Sequence, residues 1–227
     1  MQHPSNELNR SAEAARYALL RRLSAAMRHQ MAGNFQPVTM LAAIVEKRLK
    51  AVAPDVSALA KTSSDVRALA SAATRSSIDL MGWIACDPEA RVPLDQGLRD
   101  ALHLVATELS FRGFRCLNET EGVTTPVARN HVRGVVVAGV LALTDAALLP
   151  ANLRITAQRE GDVMVVTLAL AADETAHKDP PVDEFQVNLA TYRKIDWADV
   201  EAIAAADSVR LEQTPGSLVL RLPVAEA

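Results

Sequence analysis

The sequence predicts an α+β protein in which an N-terminal helical hairpin is followed by a unit of helices and strands. Residues 7–86 carry apolar side chains at steps of three and four, which is typical of amphipathic helices. Residues 87–93 are polar and contain two prolines, which indicates a linker. Beyond the linker, helical patterns alternate with short strand patterns. That order favours helices packed on one face of a mixed sheet.

Composition narrows the class of protein. The chain has 227 residues, of which 49% are hydrophobic and 22% charged, as in ordinary globular proteins. Aromatic residues make up only 4%, so the core must consist mainly of Ala, Leu and Val. The net charge of −3 gives no overall basic field, and we expect no nucleic-acid partner.

Two further patterns bear on compartment and metal binding. Cys86 and Cys116 lack metal-ligand spacing and are expected to be reduced thiols, and no two histidines have metal-ligand spacing. The polar N-terminus does not look like a signal peptide. The most apolar run, residues 135–143, is far shorter than the roughly 20 residues of a membrane span. The expectation is a cytoplasmic protein without membrane or metal.

The first helix is predicted over residues 7–52. Proline lacks an N–H and its ring crowds the carbonyl four residues earlier, so we expect a kink or loosened turn between Gly33 and Pro37. Pro54 disfavours helical geometry at Ala53 and should end the helix. The apolar stripe comprises Leu20, Leu23, Met27, Met31, Phe35, Val38, Leu41, Val45 and Leu49.

A second helix is predicted from residue 55 or 57 to residue 86. The short link makes the two helices an antiparallel hairpin. One hairpin buries only one face of each helix, and two copies side by side would form a four-helix bundle, so a homodimer is predicted. The alternative is that the hairpin folds back on the C-terminal part of its own chain.

The second half is predicted as a series of alternating elements. Gly113 should end a helix, Glu160-Gly161-Asp162 should form a hairpin turn, and a helix break is expected near Asp196. Helices are predicted over residues 94–112, 127–147 and 185–206. Strands are predicted over residues 114–118, 153–158, 163–171, 209–212 and 218–222, with loops over 119–126 and 172–181.

His29 lies in the middle of the first helix. At about 100° per residue it points roughly 200° away from Met27 and Met31, and so toward solvent. Most surface histidines carry no chemistry, and helix geometry alone favours that interpretation. The helix also carries basic residues that alternate with apolar ones, which indicates a solvated bundle face rather than a nucleic-acid site. They are Arg16, Arg21, Arg22, Arg28, Lys47, Arg48 and Lys50.

The segment Met27-Arg28-His29-Gln30-Met31-Ala32-Gly33-Asn34-Phe35 resembles the phosphoacceptor box of bacterial histidine kinases. In that box a histidine is followed by Glu or Asp and, a few residues on, by Asn or Pro and an apolar residue. The element order also resembles the family's cytoplasmic half, a dimerising hairpin followed by a Bergerat-type (GHKL) ATP-binding domain.

The resemblance covers about residues 10–225. It implies a dimerisation and histidine phosphotransfer hairpin over residues 7–86 and an ATPase-like α/β sandwich over residues 93–225. Residues 93–113 are similar to the helix that opens the ATP-binding fold, and residues 132–146 to its nucleotide-lining helix.

The ATPase-like domain departs from the family pattern. Ala138 and Ala142 stand where the family has an acid or Asn followed by a second Asn, and alanine offers no oxygen to Mg²⁺. Residues 172–181 and 185–191 contain no glycine where the family has glycine-rich loops. Without glycine the backbone cannot easily approach a phosphate. These losses predict a degenerate domain without a nucleotide cofactor, in which Gly134 and Gly139 serve packing.

The phosphoacceptor box departs as well. Gln30 stands where the family has a carboxylate that can take the imidazole proton. Glutamine can only donate or accept a hydrogen bond, which disfavours autokinase activity.

The first functional hypothesis is therefore a histidine phosphotransferase. In it, His29 is the phosphoacceptor, and receiver domains of response regulators supply the aspartyl phosphate and the Mg²⁺. Ala32 and Gly33, with Ala26, would leave a low surface for docking, and Arg28 could steer the acidic receiver pocket. An upstream hybrid histidine kinase is a further partner that the resemblance implies.

Three alternatives stay open at this stage. One is a divergent sensor kinase with autokinase activity. Another is a pseudokinase that serves as scaffold or phosphatase, in which Asn34 would position a water; the simpler role for Asn34 is a buried polar residue at the helix seam. The last is a helical interaction protein outside two-component signalling.

Overall fold

The computed structural model describes residues 4–85, 87–148, 151–172 and 193–224. The chain forms two compact units. One, here called the mixed unit, combines Met1–Leu23 with Asp87–Ala227; the other, the hairpin unit, is Ser24–Cys86. The predicted fold class is confirmed, because a helical hairpin precedes a unit of helices and a mixed sheet. Residues 7–23, predicted as part of the hairpin, pack within the mixed unit.

Helix α1 spans Pro4–Leu49 and helix α2 spans Val56–Met81. Asp55 caps α2, since its side chain accepts a hydrogen bond from the backbone N–H of Ala58 at 3.0 Å. The hairpin is antiparallel. Near its connection Arg48 donates to the Thr62 hydroxyl at 2.8 Å, and further along α1 pairs with the C-terminal half of α2.

The loosened turn predicted between Gly33 and Pro37 is absent, because α1 is helical through both residues. A proline inside a helix removes one backbone hydrogen bond, and its ring crowds the preceding turn. That crowding falls on Gly33, where even an added Cβ would meet nothing within 4 Å. The helix is assigned without a break from Pro4 to Leu49, with Pro37 inside it.

The mixed unit contains two sheets. Strand β1 (Arg91–Pro93) pairs antiparallel with β3 (Pro126–Ala128). The larger sheet has the order β2-β4-β5-β7-β6, in which β2 and β4 are parallel and the other pairs antiparallel. Its strands are β2 (Arg115–Asn118), β4 (Ala151–Glu160), β5 (Val163–Ala172), β6 (Arg210–Thr214) and β7 (Ser217–Pro223).

The turn residues lie where the sequence places them. Gly161 and Gly216, with φ of 61° and 80°, close the β4–β5 and β6–β7 hairpins. Helix α3 (Leu94–Phe111) ends just before Gly113, whose φ is 77°. Helix α5 (Trp197–Ala206) is capped by Asp196, so the predicted break there is the start of the helix. The loop and helix predicted over residues 173–192 lie outside the described residues.

One prediction in this unit is wrong. The segment that becomes β1 was expected to be linker, and Pro126–Ala128 (β3) was expected to be the end of a loop and the start of a helix, because three-residue strands are too short to show a period. As a result, the helix predicted from residue 127 begins later, as a π-helix (His131–Val136) that continues into α4 (Val137–Ala146).

Helix α4 packs directly on the sheet. A Cβ added to Gly139 would lie 2.5 Å from Leu218 Cδ2 and 3.3 Å from Leu168 Cδ1. The packing role predicted for Gly139 is confirmed. Ala138 and Ala142 are 0% and 2% exposed and belong to the same core.

His131 gives the mixed unit a pH dependence that can be measured. Burial lowers the pKa of His131 from its usual value of 6.5. The negative charge of Asp207 and a hydrogen bond with the Asp207 backbone act in the opposite direction but do not outweigh burial. Below about pH 6.5 the unfolded chain therefore binds more protons at this residue than the folded chain.

The free energy of unfolding should fall between about pH 7 and pH 5, and His131→Gln should weaken that fall. The check is urea unfolding at both pH values, with exposed His103→Gln as control. An equal pH dependence in wild type and His131→Gln would contradict the assignment.

Candidate functional site

His29 stands exposed on α1 among small residues. The positions three and four residues away on either side are Ala25, Ala26, Ala32 and Gly33. Residues at this spacing are its neighbours on the helix surface. None of them has a side chain longer than a methyl group, and Ala32 and Gly33 are exposed. A partner can therefore approach the imidazole along the helix surface without meeting a larger side chain from these positions.

The imidazole of His29 is also unengaged. In the part of the chain that the structure describes, no hydrogen bond or ion pair holds it. A neutral imidazole has one nitrogen with a free lone pair. Exposure, small neighbours and a free nitrogen together leave His29 able to act as a nucleophile toward a group that another molecule presents.

Gln30 is half-buried, whereas His29 is exposed. Its side-chain oxygen is inaccessible to solvent and has no hydrogen-bond partner among the described residues. An amide has no carboxylate with which to take a proton. The structure thus places no proton acceptor at the position that follows the histidine.

Asn34 contacts the second helix of the hairpin. Its amide nitrogen donates to the Ser76 hydroxyl at 2.7 Å. Asn34 lies five positions after His29, which places them about 140° apart around the helix.

Arg28 is exposed, next to His29 in the chain. Of the predicted site residues, His29, Arg28, Ala32 and Gly33 are exposed, whereas Gln30 and Asn34 are half-buried.

The Asn34–Ser76 contact gives a prediction about stability. A single hydrogen bond between neutral side chains contributes about 0.5–1.5 kcal/mol. Asn34→Ala and Ser76→Ala should each lower the free energy of unfolding by about that amount, and the double variant should lose less than their sum. Chemical denaturation of all three variants checks this. Fully additive losses would show that the two side chains do not stabilise each other.

The predicted solvated face is wrong for Arg22. This residue is only 5% exposed and lies in the mixed unit among charged partners. The sequence offered a signal for this burial. Arg22 lies three residues after Leu19 and directly before Leu23, and residues three apart are neighbours on the helix surface. Arg16 also binds a partner, Asp207, at 2.6 Å, whereas Arg28 is exposed as predicted.

Arg22 binds two carboxylates at once. Its nitrogens lie 2.6 Å from Glu108 and 3.0 Å from Asp145. Arg112 contacts the same two acids at 3.1 and 3.0 Å, and the backbone N–H of Ile195 donates to Asp145 at 3.1 Å. Burial opposes the charge on Arg22, but the hydrogen bonds and charges of Glu108 and Asp145 prevail and raise its pKa. We call these four charged residues the Arg22 cluster.

Other candidate chemical groups are weaker. Burial raises the pKa of Cys116 to about 11, so this thiol is protonated and a poor nucleophile at neutral pH. No group of His, Cys, Asp and Glu suited to a metal occurs among the described residues. None of the helices in the described ranges is long and apolar enough to cross a membrane.

Comparison with known proteins finds likeness in structure only. No family model matches the sequence, and no curated protein matches it. A histidine kinase from Burkholderia phymatum has 16% identity and a TM-score of 0.45, with 93% of this chain and 98% of that one covered. The Acinetobacter baumannii histidine kinase AdeS has 12% identity and a TM-score of 0.45, with coverage of 86% and 98%.

A bacterial phosphotransferase structure has 12% identity and a TM-score of 0.37, with 98% of each chain covered. At these identities the likeness concerns the fold. The chain is structurally similar over most of its length to histidine kinases and to a bacterial phosphotransferase.

Proposed function

We propose that this protein is a histidine phosphotransferase of two-component signalling, which relays phosphoryl groups between His29 and aspartates of receiver domains without binding ATP. The observation that carries the proposal is the exposed, unengaged His29 with only Ala25, Ala26, Ala32 and Gly33 as its helix-surface neighbours. The partner has to bring an aspartyl phosphate held in a pocket up to the imidazole, and large neighbours would obstruct that approach.

The chemical step needs one group from this chain. The lone pair of the neutral His29 nitrogen attacks the phosphorus, a nitrogen–phosphorus bond forms, and the acyl phosphate bond to the aspartate breaks. The aspartate leaves as a carboxylate, and the imidazole proton passes to solvent. The receiver contributes the Mg²⁺ that stabilises the transferring group. Reversal of the same step passes the phosphoryl group to the aspartate of a second receiver.

The nucleotide-free part of the proposal is supported by the residues that stand where the resemblance places the family's metal and phosphate ligands. Ala138 and Ala142 have no oxygen for a metal and are buried in the apolar core. Gln30 cannot act as the base that autophosphorylation uses. An autokinase is therefore disfavoured. A phosphatase role for Asn34 is disfavoured too, because its amide is bound to Ser76 at 2.7 Å.

The homodimer remains part of the proposal. No side chain between Ser24 and Leu49 is fully buried, and apolar side chains on both hairpin helices are exposed. Phe35, Met40, Ile78 and Met81 are 43%, 59%, 67% and 56% exposed. A second hairpin would cover such a surface and complete a four-helix bundle. Sedimentation as a monomer would contradict the dimer.

The function is tested with a receiver domain that carries radiolabelled aspartyl phosphate. Wild-type protein should take up label that acid removes and base does not, as expected for a phosphohistidine. His29→Ala should take up none. His103→Ala is the matched control, because His103 is also an exposed histidine on a helix and should leave the transfer unchanged. Label that persists in His29→Ala would disprove the proposal, and tight ATP binding would refute its nucleotide-free part.

A further inference from the structure

The end of the hairpin unit carries three large apolar side chains that nothing in the described part of the chain covers. We call residues 47–56, where α1 ends and α2 begins, the hairpin tip. Val52 is fully exposed, and Leu49 and Val56 are 58% and 75% exposed. A single exposed apolar residue is ordinary on a protein surface. Three within eight residues, rimmed by polar side chains, mark a binding surface.

Polar contacts hold the hairpin tip in shape. The Arg48 guanidinium donates to the Thr62 hydroxyl at 2.8 Å, and the Asp55 carboxylate accepts the Ala58 N–H at 3.0 Å. The Ala51 N–H donates to the Arg48 carbonyl at 3.2 Å. These contacts fix the turn between the two helices, so a partner that binds there has little backbone to order.

The hairpin tip lies among unpaired cations. Residues 46–61, all of them described, contain four basic and two acidic residues, in a chain whose net charge is −3. Lys47, Lys50 and Lys61 are exposed, and none of them has an ion pair or hydrogen bond among the described residues. One of the two acids, Asp55, is the cap of α2. The surroundings of the apolar side chains are therefore locally positive and attract an anionic partner.

The shape of the hairpin tip favours a lipid surface over a protein. Its apolar side chains project from the turn between two helices, so a protein partner would need a matching apolar pocket with an acidic rim. An anionic bilayer accepts apolar side chains anywhere on its surface, and its headgroups attract Lys and Arg. A lysine can keep its ammonium among the headgroups while its stem lies against apolar groups. A second hairpin tip is a poor occupant, because both carry the same positive charge.

We propose that the hairpin tip is a peripheral membrane contact, in which its three apolar side chains insert among the headgroups of an anionic bilayer and its lysines bind the lipid phosphates. The binding is reversible, because a small apolar area and a few cations give a weak anchor. This proposal departs from the expectation of a chain without a membrane partner, which rested on the lack of a spanning segment. A peripheral contact needs no such segment. It is also independent of the proposed function, since no step of phosphoryl transfer uses the hairpin tip.

The test measures cosedimentation of the full chain with two kinds of vesicle, one of phosphatidylcholine alone and one of equal parts phosphatidylcholine and phosphatidylglycerol. Wild type should bind the anionic vesicles and not the neutral ones, and added salt should weaken the binding. Lys47→Gln with Lys50→Gln should weaken it at least about tenfold, since each cation near such a surface contributes about fivefold. Val52→Ser with Val56→Ser should weaken it at least about fivefold, because less apolar area enters the bilayer.

Matched controls separate the hairpin tip from exposed residues elsewhere. Leu148→Ser removes an apolar side chain that is 98% exposed in the mixed unit, and Arg67→Gln with Arg75→Gln removes two exposed cations from α2. Both variants should bind as wild type does. Insertion is measured with an environment-sensitive fluorophore on Val52→Cys, after both native cysteines are replaced by serine. Its emission should shift to the blue on anionic vesicles, whereas the same label on Ala72→Cys, in the middle of α2, should not shift.

Failure of wild type to sediment with anionic vesicles would overturn the proposal, as would equal binding to both kinds of vesicle. Losses in the controls as large as those in the tip variants would overturn it too, because any exposed side chain would then serve. Binding without a blue shift at Val52→Cys would overturn insertion. Equally tight, lysine-dependent binding to a DNA duplex would assign the hairpin tip to polyanions in general and overturn the lipid partner. If the double serine variant does not fold, Val52→Ser alone decides, since residue 52 lies outside both helices.

Discussion

Replacing Arg22 by methionine should lower the free energy of unfolding by about 3–5 kcal/mol. That range is typical when one partner of a buried ion pair is removed and its partners are left uncompensated. Glu108 and Asp145 would then share Arg112 alone, with the Ile195 N–H as the remaining donor to Asp145. Methionine has a helix propensity close to that of arginine, so the helix itself contributes little to the loss. Urea denaturation followed by circular dichroism measures the change.

Two further variants show where this loss comes from. Arg16→Met removes one ion pair of a side chain that is 34% exposed, and it should cost less than about 1 kcal/mol. Adding Glu108→Gln and Asp145→Asn to Arg22→Met should recover most of the lost stability, because the unpaired acids are the main penalty. A loss for Arg22→Met no larger than that for Arg16→Met would contradict the buried cluster.

The second large effect is expected at Gly139. A Cβ at this position would come within 2.5 Å of Leu218 Cδ2, and Leu218 is fully buried. Gly139→Val should therefore push α4 away from the sheet and destabilise the protein by about 1–3 kcal/mol, the usual range for overpacked cores. Thermal unfolding of the variant checks this.

Gly33→Ala is the matched control for the glycine prediction. It is also a helical glycine, but its added Cβ would meet nothing within 4 Å. Alanine should raise the free energy of unfolding there by about 0.5–1 kcal/mol through the lower backbone entropy of the unfolded chain. Equal destabilisation at Gly139 and Gly33 would show that helical glycine itself, and not contact with the sheet, sets the effect.

Much of the fold could be predicted because local chemistry determines it. The β4–β5 and β6–β7 turns depend on Gly161 and Gly216, both at positive φ, and the end of α3 depends on Gly113 in the same way. The strands β1 and β3 could not be predicted, since each has three residues and exists through pairing with a segment far along the chain. The length of α1 hides the division between the two units, because helical periodicity does not change at Leu23.

The candidate site was partly predictable for similar reasons. The exposure of His29 follows from its angle to the apolar stripe. The burial of Arg22 does not follow from its charge, because charged residues are rarely buried unless they are paired. Its partners Glu108 and Asp145 are distant in sequence, so no pattern within α1 identifies them. The Asn34–Ser76 bond likewise joins two helices and needs the hairpin register.

The central claim is that His29 accepts a phosphoryl group from a receiver domain. The most direct measurement is mass spectrometry, under non-acidic conditions, of the chain after brief exposure to a phosphorylated receiver. The account predicts one added phosphoryl group per chain, with fragment ions that assign it to His29. A phosphoryl group on any other residue, or none while the receiver remains phosphorylated, would contradict it.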